Sequence, residues 1–195
     1  EIAQCLVGSE MCIRDRATSS PAMQEYHDHV WGKPEYDDQQ LFRKLVLDMN
    51  QAGLSWQTIL NKMSNFDQAY DHFDIETVAN YSEEKILALM DDPGIIRNRR
   101  KIEAAVHNAQ LVLAIQQEIG SFSDFLWRYV DHRPVINHFQ TQSEVPTHSP
   151  ISDRLAKDLK ARGFKFVGTT TIYAFMEAVG MVNDHLTSCI CYEER

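Results

Sequence analysis

Between Cys12 and Cys189 the chain has no cysteine; its four cysteines, Cys5, Cys12, Cys189 and Cys191, sit at the two extreme ends. That distribution excludes a disulfide scaffold, which spreads its cysteines through a short chain. Cysteines confined to the ends suggest that the ends meet, at a metal or as spare thiols. No apolar run is long enough to cross a bilayer, and no charged-then-apolar leader is seen. The expectation is therefore a cytoplasmic chain with no membrane association. Positive charge is also scarce: 19 Lys and Arg stand against 28 Asp and Glu, for a formal net charge of −9. A general nucleic-acid coat would be basic overall, whereas a local basic patch on an acidic body limits non-specific sticking. Convincing strand alternation, repeats and low-complexity tracts are missing. So is the His-Glu-x-x-His pattern that a zinc hydrolase would carry.

What is present reads as an all-α chain of 195 residues, 44% hydrophobic and 24% charged, enough for one helical domain of two lobes sharing a core. Residues 1–16 (EIAQCLVGSEMCIRDR) show no period and read as an atypical segment, a sequence-assembly junction; the helical domain is expected over 17–195. Asp37 and Asp38 offer an N-cap to an apolar stripe of Leu41, Phe42, Leu45, Val46 and Met49. The segment Gln51-Ala52-Gly53-Leu54-Ser55-Trp56 breaks that helix. Asp74 caps a short helix through Val78, and Ser82 caps another through Met90. Phe122 to Val130 form a further helix, 135–149 a loop. Ser152-Asp153 cap a helix through Lys160, and Thr169 to Thr171 open the last one.

A helical hairpin is expected near residues 82–113. Pro93-Gly94 stops its first arm, and Ile102, Ala105, Val106, Ala109 and Val112 stripe the second. Four cations, Arg97, Arg99, Arg100 and Lys101, crowd the start of that second helix. A helix N-terminus already carries partial positive charge, so cations there are costly unless an anion sits opposite. A phosphate would satisfy both the cations and the free amides.

Three other groups could carry chemistry. His185-x3-Cys189 spacing predicts two metal ligands on one helical face, where tetrahedral zinc could take them, with His27 as a third. Cys12, Cys5, Cys191, His29 or water could complete the set. Tyr26 and Trp56 lie beside helix breaks, where an aromatic ring can wall a pocket for a flat ligand; Trp31 is nearby in sequence. Asp48 falls on an apolar stretch leading into the Gln51–Trp56 break; spacing alone reads it as an exposed acid on the polar face, and only if it pointed into a pocket with Trp56 could its carboxylate hold an exocyclic amine or a cationic ring.

The segments Tyr26-His27-Asp28 with Trp31-Gly32, Gln51 to Trp56 (QAGLSW), Pro93 to Arg99 with Lys101-Ile102, Arg162 to Gly168 (RGFKFVG), and Gly180 to His185 (GMVNDH) with Cys189 resemble the constitutive-type bacterial 3-methyladenine DNA glycosylase family. The resemblance covers roughly Pro21 to Cys191. It implies a helix-hairpin-helix DNA glycosylase fold with a structural zinc site linking the N- and C-terminal segments. It also implies a double-stranded DNA substrate carrying alkylated purines, with no protein partner. A purine alkylated at N3 is a cation and a good leaving group, so the enzyme need only flip the nucleotide, hold the ring and admit water. No lysine nucleophile is required, and strand cleavage is not expected. By resemblance Trp56 stacks on the base, Tyr26 lines the slot, Asp48 holds the purine edge and Trp31 is a further slot residue. Gly94, Arg97, Arg99 and Lys101 grip phosphates; His27, His185 and Cys189 bind zinc. The chain departs from the family in three places. Asp48 stands where glutamate is usual, and the hairpin turn has a single glycine. Arg14 and Arg16 stand where the family has a cysteine ligand and a tryptophan, leaving Cys12 as the candidate fourth ligand. A zinc-stapled helical DNA-binding module without catalysis is the alternative reading.

Overall fold

The computed structural model describes residues 20–192. The atypical segment 1–16, and with it Cys5 and the ligand role of Cys12, lies outside the described residues. Most helices begin where a side-chain acceptor is supplied to their first amides. Ser20 caps α1 (Pro21–His29), Asp37 caps α2 (Asp38–Gln51) and Ser55 caps α3 (Trp56–Leu60). After α4 (Met63–Ala69), Asp74 caps α5 (Ile75–Ala79), Ser82 caps α6 (Glu83–Asp91) and Asn98 caps α7 (Arg99–Ile119). Ser121 caps α8 (Phe122–Trp127) and Ser149 caps α9 (Pro150–Ala161), before α10 (Thr169–Ala178). Each such oxygen satisfies an amide that the helix itself cannot.

Several boundaries differ from the sequence expectation. The stretch around Tyr26 is a full helix, because Ser20 caps it and Pro21 fits its first turn. α9 starts three residues early, at Ser149-Pro150; Ser152 instead closes a capping box with Ser149. α8 tightens into a 3-10 turn over Arg128–Val130. A parallel pair, β1 (Val135–Ile136) and β2 (Val182–Asn183), is two residues long on each side, too short to leave an alternation in the sequence.

α2 is the centre of the molecule. Leu41, Phe42, Leu45, Val46, Leu47 and Met49 are all buried, and α3, α7, α8 and α10 pack around them. The α6–α7 hairpin closes as expected, but Gly94 serves a close approach rather than a positive φ. Its amide donates to Asp92 Oδ1 at 2.7 Å, and a Cβ there would lie 3.1 Å from Asn65 Cβ. The turn after α1 and the end of α10 also meet through backbone. Gly32 N donates to Ala178 O at 3.3 Å and Glu35 N to Val179 O at 3.1 Å. Gly180, at φ +72°, leaves so little room that a Cβ would stand 2.5 Å from the Lys33 carbonyl carbon. Among the described residues no helix is long and apolar enough to cross a membrane.

Asp38 ties this centre to the α7–α8 corner. Its carboxylate accepts from Gln116 Nε2 (2.6 Å), Phe122 N (2.8 Å) and Ser123 N (2.7 Å). Asp38→Ala removes an acceptor from two helix-start amides and should cost about 2–3 kcal/mol, read as a lower urea midpoint at unchanged slope.

Candidate functional site

The structure brings Tyr26, Asp48 and Trp56 together. Tyr26 comes from the last turn of α1, Asp48 from the inner face of α2, and Trp56 opens α3 after the Gln51–Ser55 break. The Tyr26 and Trp56 ring centroids are 5.1 Å apart with planes tilted by 46°. Asp48 is 1% exposed, and its Oδ2 and the Trp56 Nε1 are buried without a hydrogen-bond partner among the described residues. Buried polar atoms are rarely left so, because each costs the free energy of a lost hydrogen bond.

Between these groups lies a residue the sequence reading passed over. Lys44, one helical turn before Asp48, donates its ammonium to Asp48 Oδ1. The same Nζ stands 4.0 Å from the Trp56 ring centroid and 5.9 Å from that of Tyr26. Burial pushes the Asp48 carboxyl above the usual carboxylate range, and the Lys44 ammonium pulls against that shift. A signal was available: an i,i+4 Lys–Asp pair on a helix otherwise reading as apolar. The site is thus a cation cage, made of one carboxylate and two aromatic faces, and the chain's own ammonium is seated in it.

The hairpin divides its basic residues. Arg97, Arg99 and Arg100 are exposed. Arg99 is braced by Glu103 (2.7 Å) and Glu83 (2.5 Å). Lys101, expected on a phosphate, points inward instead. It is 6% exposed and donates to Asn50 O (2.8 Å) and Ala52 O (2.9 Å). It therefore pins the α2–α3 break that presents Trp56, and burial lowers its pKa.

The second constellation joins α1 to the C-terminal segment. Cys189 Sγ lies 3.6 Å from His27 Nε2 and 3.5 Å from His185 Nδ1. With metal–nitrogen and metal–sulfur bonds of about 2.05 and 2.3 Å, the S···N edge of a tetrahedral site is about 3.6 Å. Each imidazole nitrogen thus stands about one such edge from the Cys189 sulfur, and His27, Cys189 and Cys191 hold donor atoms that all lie within 4.8 Å of one another. Asp28 Oδ1 accepts from His27 Nδ1 at 2.8 Å, which turns the Nε2 lone pair toward Cys189. The Cys189 sulfur raises the His27 pKa, burial opposing and Asp28 adding to the shift. Residues 185–189 are not helical and turn at 187–188, so the expected helical face does not exist. The turn is placed by Asp184, which accepts from Tyr173 Oη (2.7 Å) and Asn137 Nδ2 (2.6 Å). Gly32 makes room for His185, whose Nε2 a Cβ would approach to 2.7 Å. Trp31 belongs here rather than in the cage: its ring is edge-on to His185 at 4.6 Å and stacked on His27 at 6.1 Å. Cys191 stands 4.0 Å from His27 Nδ1, the nitrogen Asp28 engages, and burial pushes its thiol up to about 11.

A helical frame with a basic hairpin beside a buried carboxylate–aromatic cage is that of a DNA glycosylase fold. It is similar to a solved 3-methyladenine DNA glycosylase I from Staphylococcus aureus at TM-score 0.89 and 42% identity, over 92% of this chain and 96% of that one. It is also similar to a variant of 3-methyladenine DNA glycosylase I solved in complex with 3-methyladenine, at TM-score 0.88 and 41% identity, over 92% and 96%. DNA-3-methyladenine glycosylase 1 of Escherichia coli (strain K12) is 46% identical over 175 residues, 90% of this chain and 94% of that protein. Residues 16–192 match the methyladenine glycosylase family model, and the chain belongs to that family.

The pairing of Lys44 with Asp48 is testable by stability alone. Asp48→Asn leaves a buried ammonium uncompensated and should cost about 3 kcal/mol, most of it recovered in the Lys44→Met, Asp48→Asn double variant. Losses that simply add would rule the pairing out.

Proposed function

We propose that this chain is a DNA-3-methyladenine glycosylase of base-excision repair, which hydrolyses the N-glycosidic bond of 3-methyladenine in double-stranded DNA without cutting the strand. The single observation that carries the reading is the Asp48–Trp56–Tyr26 cage, whose orphaned carboxylate oxygen and aromatic faces suit a flat cation. The relatives' names and the 3-methyladenine complex of a similar structure support the same substrate.

In this reading the lesion is flipped out of the duplex and its ring lies on Trp56, with Tyr26 at the edge of the slot. Asp48 Oδ2 accepts from the exocyclic amine, and its charge balances the ring's. The glycosidic bond breaks with its electron pair passing to the purine, which leaves neutral. Water adds to the anomeric carbon and its surplus proton passes to solvent. The barrier is already low because the leaving group is cationic, so positioning and desolvation supply most of the catalysis. Arg97, Arg99 and Arg100, with the amides opening α7, hold the strand's phosphates around the Gly94 turn. Lys101 acts indirectly, by fixing the break that carries Trp56. A structural zinc held by His27, His185 and Cys189 links α1 to the C-terminal turn and does no chemistry. A DNA substrate, with no described helix able to cross a membrane, is what supports reading the enzyme as cytoplasmic.

Incubation with methylated duplex and chromatography of the freed bases tests the reading. Trp56→Ala should lower 3-methyladenine release by at least about 100-fold while duplex affinity changes little. Arg97→Ala should instead weaken duplex binding and reduce its salt slope by about one. Duplex binding with no base released, by the unmodified protein, would leave a DNA-binding module without catalysis. For the metal, elemental analysis should give close to one zinc per chain, and Asp28→Ala should weaken its retention by about 10–100-fold. A zinc-free chain with an unaltered melting temperature would remove the ion from the account.

A further inference from the structure

Lys44 has no part in the reaction described above, yet its ammonium holds the position the base needs. A purine stacked on Trp56 and bonded to Asp48 would overlap an ammonium that lies 4.0 Å from the Trp56 centroid and touches Asp48 Oδ1. The two cannot coexist there. The Lys44 side chain has a path out: it is 10% exposed where Asp48 is 1% exposed, and its four-carbon stem can swing while α2 stays fixed.

We propose that Lys44 is a displaceable internal cation that determines specificity: a base enters only by taking both the Asp48 carboxylate and the Trp56 face from the ammonium. This deepens the glycosylase reading and rests on it. The physical reason is charge balance. When a cationic N3-alkylated purine displaces Lys44, Asp48 exchanges one positive partner for another. When an undamaged, neutral purine displaces it, a fully buried carboxylate loses its counter-ion, which is strongly unfavourable. The cost falls on the wrong base alone, so discrimination comes from penalising the competitor rather than from extra contacts to the lesion. The same balance acts after bond cleavage. The freed 3-methyladenine is neutral and no longer compensates Asp48, so Lys44 reclaims the carboxylate and drives the product out.

Three measurements on the full chain test this. Free 3-methyladenine, titrated against tryptophan fluorescence at mildly alkaline pH, should bind Lys44→Met about tenfold or more tightly than the wild type, because no ammonium has to be moved first. Lys44→Arg should show no such gain. On DNA, Lys44→Met should release undamaged adenine at a higher rate relative to 3-methyladenine. Reductive methylation of Lys44 in the wild type, followed by mass spectrometry, should be accelerated by saturating 3-methyladenine, where an ordinary pocket lysine would be protected. Base binding that is unchanged or weaker in Lys44→Met overturns the proposal. So does protection of Lys44 by the ligand, and that measurement decides the matter if Lys44→Met does not fold. A wild type that neither binds nor releases 3-methyladenine sinks the glycosylase reading as well; one that releases it while Lys44 stays shielded sinks this inference alone.

Discussion

A charge buried on α2 must be balanced within reach of α2, and much of the site follows from that requirement. The helix is packed by α3, α7, α8 and α10, and from Lys44 to Gln51 all of its residues are buried. Asp48 is 1% exposed, so its carboxylate is stable only beside a cation and against surfaces that tolerate one. Lys44, one turn away, and the faces of Trp56 and Tyr26 meet both needs. A helix with a solvated face would have let Asp48 ionise freely, and it would have been of no use to a charged base.

The same economy governs the polar groups around the break. Ending α2 at Gln51 leaves carbonyls without helical partners, Asn50 O in the interior and Ala52 O at its edge. Lys101 reaches from α7 to take both. The basic start of the hairpin therefore does two jobs with one stretch of sequence. Its exposed arginines face the solvent, while its last cation holds the pocket wall in place. On the other side, Gly32 and Gly180 allow α1 and the end of α10 to approach within backbone contact, which sets the distance at which His27 finds His185 and Cys189.

How much of this was legible depended on range. Caps, breaks and stripes are written within a few residues, so Asp37, Asp74 and Ser82 mark helix ends that the structure keeps. The Ser149 cap was passed over because Ser152-Asp153, three residues on, is an equally good local signal. The two-residue strands carry no period to read. Tyr26 and Trp56 stand out by their positions beside breaks, whereas Asp48 reads by spacing as an exposed acid and is placed at the site by the family resemblance alone; in the fold it is buried. The family resemblance puts Lys101 on a phosphate and Trp31 in the slot, and each faces another part of the molecule: Lys101 because adjacent residues on a helix point about 100° apart, Trp31 because the turn after α1 carries it toward His185.

By itself the sequence determined the helical class, most helix ends, the hairpin, and which side chains had the chemistry for a cationic purine or a metal. These are short-range properties, set by caps, periodicity and residue type. Tertiary structure alone decided that Lys44 sits in the cage, that Lys101 points inward, and that a turn rather than a helix brings His185 to Cys189. Each of those depends on what a distant segment presents to the side chain, and burial, the energy that settles it, is a property of the packed chain rather than of any stretch of it.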